Sequence, residues 1–83
     1  MPAQLTVMHR QGCDLCDEMI AELERLRPEL SLPPLQIVDV DSDPELIRRY
    51  GLNVPVLLWG GSVVCRHRLD VTELRRLLAR PGS

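Results

Sequence analysis

The chain has 83 residues, 45% of them apolar and 27% charged, which places it with folded globular domains and excludes disordered or fibrous classes. Its net charge of −2 leaves no broad positive field for nucleic acid or anionic lipid, and its basic residues, all arginine, are scattered. No apolar run nears the ~20 residues of a membrane span, and Met1–Leu5 has neither the charged start nor the apolar stretch of a secretory leader.

The expectation is therefore one domain over residues 1–83, a monomer in the cytoplasm, with neither nucleic acid nor a membrane as partner. Three cysteines, two of them close together, make a poor disulfide scaffold and suit a reducing compartment.

Gln4 to His9 reads as the first strand, mostly apolar and rich in strand formers. Arg10-Gln11-Gly12 is a short loop. Met19, Ile20, Leu23 and Leu26 then recur at helical spacing, with Glu22, Glu24, Arg25 and Arg27 on the other face. Pro28, followed by Pro33-Pro34, ends that helix. Leu35 to Val40 is a second strand, closed off by Asp39, Asp41, Ser42 and Asp43. Asp43-Pro44-Glu45 is a helix start: a capping carboxylate, a proline at the first helical position, then an acid. Leu46, Ile47 and Tyr50 give this short helix an apolar face, and Gly51 stops it.

Val54 to Trp59 is nearly all apolar and reads as a central strand. Gly60-Gly61-Ser62 is a hairpin turn, and Val63 to His67 is an edge strand. Asp70 and Glu73 have capping-box spacing for a last helix. Val71, Leu74, Leu77 and Leu78 form its buried stripe, and Arg75, Arg76 and Arg80 its basic end. Pro81 to Ser83 is a tail. The order β-α-β-α-β-β-α predicts an α/β fold: a four-stranded mixed sheet, the first two strands parallel, the last two antiparallel, helices on both faces.

The chemistry is concentrated in Cys13-Asp14-Leu15-Cys16, after the first strand and at the head of the first helix. Cysteines three apart can close a disulfide ring, and a helix N-terminus favours a thiolate through its unpaired N–H groups and dipole. Strand, CxxC and helix read as a thiol–disulfide redox site, in which Cys13, the more forward thiol, attacks and Cys16 resolves. The bland alternatives are a pair that merely packs, or half of a metal site.

Asp14, Asp17 and Glu18 crowd the same turn and oppose a negative sulfur, so a less acidic Cys13 and a more reducing couple are expected. Cys65 reads as a small buried apolar residue. It has His67 two residues on, hence on the same strand face, and with Cys13 and Cys16 these would be zinc ligands by type. An edge strand does not readily reach the helix, and no metal is expected. His9 reads as a strand-end residue.

Element order and CxxC together resemble the glutaredoxin-like branch of the thioredoxin superfamily, specifically its short bacterial members. The resemblance rests on Gly12-Cys13-Asp14-Leu15-Cys16, on Val38-Asp39-Val40-Asp41, on Tyr50-Gly51-Leu52-Asn53-Val54-Pro55 and on the Gly60-Gly61 turn. It implies a thioredoxin fold of glutaredoxin type and a cis Pro55 facing the disulfide, with the Val54 backbone holding a substrate chain.

Arg10 falls where such proteins often carry a base near the thiolate and the glutathione carboxylate; the alternative is a solvated loop arginine. The activity implied is reduction of protein disulfides without a bound cofactor, with glutathione an open co-substrate. A redox-silent binding module and an Fe–S or metal carrier on the same fold are the alternatives. Three departures stand out. Asp14-Leu15 replaces the usual Pro-Tyr. His67-Arg68-Leu69-Asp70 lacks the glycines that hold glutathione. Val7 stands where thioredoxins bury an aspartate.

Overall fold

The computed structural model describes residues 3–79. Four strands, β1 (Leu5–His9), β2 (Leu35–Asp39), β3 (Val56–Trp59) and β4 (Ser62–Arg66), form one sheet in the order β2-β1-β3-β4. β1 runs parallel to β2 and antiparallel to β3, and β3 pairs antiparallel with β4. This is the expected mixed sheet. Gly60 and Gly61, at φ 58° and 86°, close the β3–β4 hairpin in the left-handed region that only glycine enters freely.

Alternation along the two central strands sorts their side chains onto two cores. Leu5, Val7 and Leu57 face helix α1 (Asp14–Leu30) and helix α3 (Val71–Leu78), packing on Met19, Leu23 and Leu74. Met8, Val56 and Leu58 face the other way, toward Leu46 and Tyr50 of helix α2 (Pro44–Tyr50). The sheet is therefore covered on both faces. Val7 is fully buried with no acid in its place.

Caps fix the helix starts. Asp43 accepts from Glu45 N–H and Asp70 from Glu73 N–H, at 2.8 and 3.0 Å. Arg80 and the tail after it lie outside the described residues.

Several boundaries depart from the sequence reading: β3 begins at Val56 rather than Val54, β4 at Ser62 rather than Val63, and three further shifts have clear causes. Helix α1 runs through Pro28 to Leu30, and Ser31 caps it in the left-handed conformation, donating to Arg27 O. A proline this late leaves only the Glu24 carbonyl unpaired, on an exposed residue, while Leu30 still packs against the core. Val40 leaves β2 for one turn of 3-10 helix (Val40–Ser42), because the Asp39 carboxylate accepts from Asp41 N–H. His67 falls outside β4, at φ 68°, so the shared face expected of Cys65 and His67 does not form.

Candidate active site at one end of the sheet

The register Met8↔Val56 sets the C-terminal end of β1 beside the N-terminal end of β3. The loop leaving β1 carries the CxxC, and the loop entering β3 carries Val54-Pro55. Both therefore lie at the same end of the sheet. Cys13 is the N-cap of α1, and its Sγ accepts the Cys16 N–H at 3.1 Å. Cys13 and Cys16 are joined as a disulfide, with Cα atoms 5.2 Å apart. Cys13 is partly exposed, whereas Cys16 is fully buried.

The sulfur nearer solvent thus sits on the orphan N–H groups and positive dipole end of a helix. Asp14, Asp17 and Glu18 are exposed around it. His9, at the end of β1, lies 3.4 Å from Asp17 and ties the strand to the first turn of α1.

The Val54–Pro55 peptide bond is cis. Pro55 is buried, and its carbonyl accepts the His67 N–H at 2.8 Å. The backbone N–H and C=O of Val54 have no hydrogen-bond partner among the described residues. Leu52, two residues earlier, is 95% exposed.

Arg10, partly exposed in the loop after β1, is not a free cation. It donates two hydrogen bonds to the Asp41 carboxylate, at 3.0 and 2.9 Å, and one to the Gly51 carbonyl at 3.1 Å. The hydrogen bonds it donates to Asp41, with the charges of Asp41 and Asp39, raise the guanidinium's pKa further. One side chain thereby ties the CxxC loop to the end of β2 and to the loop that leads to Val54-Pro55. Gly51 serves this close approach. A Cβ there would meet Ile47 O at 2.5 Å and the Arg10 guanidinium at 3.3 Å. Sequence reasoning found Arg10 and missed both partners. The acidic run Asp39-Val40-Asp41 was the available signal.

Cys65, opposite Leu57 on β4, is half-buried and unpaired. Burial pushes its thiol pKa up. It is not brought to the other cysteines; among the described residues no three His, Cys, Asp or Glu side chains converge as a metal site. No helix among these residues is long and apolar enough to cross a membrane.

The Glutaredoxin-like domain family (DUF836) matches residues 4–79. Among solved structures, a Nitrosomonas europaea protein determined by solution NMR is 33% identical, with a TM-score of 0.84 over 95% of this chain and 94% of that one. An X. campestris protein determined by X-ray crystallography is 32% identical, with a TM-score of 0.70 over 93% and 99%. The thioredoxin of Fasciola hepatica, 24% identical over 95% and 80%, has a TM-score of 0.57 and shows the shared fold. No curated protein matches the chain.

Proposed function

The chain belongs to the glutaredoxin-like domain family, and on that premise we propose that it is a thiol–disulfide oxidoreductase that reduces protein disulfides. The observation that carries this reading is the asymmetry of the two sulfurs: one partly exposed at a helix N-terminus, the other sealed beneath it. A pair that only packs would have no reason to keep one member forward.

In the reduced protein the Cys13 thiolate attacks one sulfur of a substrate disulfide. A mixed disulfide forms, and the other substrate sulfur leaves as a thiolate and takes a proton. The Cys16 thiolate then attacks Cys13 Sγ. The internal disulfide closes and the second substrate thiol is released. Two electrons pass from the dithiol to the substrate, and a thiol reductant restores the dithiol.

Val54-Pro55 holds the substrate chain in this scheme. The unpartnered backbone of Val54 supports that, because an extended segment needs a free N–H and C=O to pair with. Arg10 would have to leave Asp41 and Gly51 to meet a glutathione carboxylate, which favours a protein disulfide over glutathione as substrate. No resident cofactor enters the scheme, and a reducing compartment such as the cytoplasm suits it.

The test is a Cys16→Ser variant with insulin as the disulfide substrate. Wild-type protein, prereduced and freed of reductant, should convert a stoichiometric amount of insulin disulfide to thiol. The variant should accumulate a covalent adduct through Cys13, visible by mass spectrometry. Wild-type protein that leaves insulin and small peptide disulfides intact would refute the reading.

A further inference from the structure

Described arginines almost all have partners. Arg10 is held by Asp41, Arg25 by Glu22, Arg27 by Glu24, Arg48 by Glu45, Arg75 by Glu29 and Arg76 by Glu73. Arg49 lies over the Tyr50 ring, 5.6 Å from its centroid. Arg66 and Arg68 alone have neither a carboxylate nor a ring partner among the described residues. In a chain of net charge −2, acids to pair with are not scarce.

These two flank His67 and stand beside the candidate site. The His67 N–H is bonded to Pro55 O, so the segment is fixed to the loop that holds Val54. His67, at φ 68°, and the bond from Arg68 N–H to Arg66 O at 2.7 Å make a tight turn there. All three side chains are exposed. His67 and Arg68 form one wall of a groove of about 190 Å³ whose other wall is the start of α1, including Leu15 between the two cysteines. That helix wall is acidic: Glu18 and Glu22 face the groove across from the arginine turn.

From this charge arrangement we infer that the Arg66-His67-Arg68 turn is a recognition element for substrate proteins that carry acidic residues next to their reducible disulfide. This deepens, and rests on, the oxidoreductase reading above. A chain lying along Val54 passes the turn, and a carboxylate on that side meets Arg68, which lines the groove and has no ion-pair partner among the described residues, while Arg66, opposite Val56 on β4, adds its charge at the same turn. The acidic helix wall repels the same carboxylate from the other side, so the groove has polarity and discriminates by repulsion as well as attraction.

The test uses short synthetic peptides with one disulfide, flanked by glutamates, glutamines or lysines. Matching labelled peptides with serine for cysteine measure binding alone, by fluorescence anisotropy on the oxidised full chain. The glutamate peptide should bind roughly fivefold tighter than the glutamine peptide, as one exposed charge pair with a second charge at the same turn allows. The difference should shrink in high salt, where the screening length falls to a few ångströms.

Arg66→Gln with Arg68→Gln should bring the ratio to about one, and the charge reversal Arg66→Glu with Arg68→Glu should turn preference to the lysine peptide. Arg49→Gln should leave the ratio intact. Equal binding of the three peptides by wild type, or a glutamate preference that survives both double variants, overturns the inference. The disulfide peptides separate this from the underlying reading. Turnover of all three without discrimination sinks the recognition element and leaves the oxidoreductase; selective binding without any turnover does the reverse.

Discussion

The two faces of the sheet are held in different ways. Under α1 and α3 lies an aliphatic core of Leu5, Val7, Met19, Leu23, Leu32, Leu57 and Leu74, most of it wholly removed from solvent. The cluster under α2 has only Met8, Val56 and Leu58 as buried members, with Leu46, Tyr50 and Val54 packing on them from partly exposed positions. Ile47 of α2 is 41% exposed. Apolar burial contributes roughly 1.5–3 kcal/mol for each large aliphatic side chain, so the first face stores most of the stability. The second face is thin, and Arg10 supplements it with polar bonds to Asp41 and Gly51. The lesson is a division of labour: one face keeps the fold, while the other keeps the loop before Pro55 in place.

The sharpest way to break that comparison is to cut the same side chain on each face. Leu23→Ala empties a fully buried site and should cost about 3 kcal/mol. Leu46→Ala, at a half-exposed site, should cost only about 1 kcal/mol. Urea unfolding followed by Trp59 fluorescence measures both. Equal losses would mean that the α2 face carries as much of the fold as the other.

A smaller effect should separate placement from stability. Arg10→Gln removes the two bonds to Asp41 and frees the loop leading to Val54-Pro55. On the scheme proposed above, KM for a peptide disulfide should rise about fivefold with little change in kcat, as loss of a positioning contact predicts. Asp41→Asn should reproduce most of the rise, and the double variant should add little to either single one. An unchanged KM in both would confine the clamp to a structural role.

Which parts of this were legible in the chain follows from how local each cause is. Caps at Asp43 and Asp70, the Gly60-Gly61 turn and the apolar spacing of α1 act within a few residues, and each element they govern stands where the sequence put it. Cys13 at a helix N-terminus was legible for the same reason. The errors came from competition between forces that the sequence reading weighed singly. Pro28 signals a helix end, yet Leu30 gains more from the core than the proline costs there. Val40 has strand character, yet the Asp39 carboxylate captures the next N–H. The clamp was only faintly legible, in the acidic run Asp39-Val40-Asp41, because Arg10 lies 31 residues from Asp41 and 41 from Gly51 and nothing near Arg10 names its partners. That Arg66 and Arg68 lack a carboxylate partner among the described residues was hidden similarly: it shows only once the other described arginines have been matched.

A finer probe acts on the helix start itself. Asp14 adds negative charge beside Cys13, which disfavours the thiolate and hence the reduced form. Asp14→Asn should therefore stabilise the dithiol and raise the reduction potential, by about 10–20 mV on the scale where 30 mV is 1.4 kcal/mol. Equilibration with a glutathione redox buffer reads the value. A fall, or no change, would mean that exposure to solvent screens Asp14 from the sulfur.

The smallest effect belongs to Cys65, on the well-packed side of the comparison. Burial raises its pKa above the ordinary 9.0, against a weaker opposing influence from its hydrogen bond with the Asp70 backbone. A raised folded value means that the folded state keeps its proton longer than the unfolded one, so stability is intact below pH 9 and declines as pH climbs through the folded pKa. Cys65→Ala should flatten that alkaline decline, leaving the curve unchanged at neutral pH except for a constant offset. Iodoacetamide at pH 8.5 should accordingly modify Cys65 of the native oxidised protein more slowly than a free cysteine, and at the free rate once urea has unfolded it. Equal rates in both states would place the thiol in solvent, and the β4 edge would then be no better packed than the α2 face.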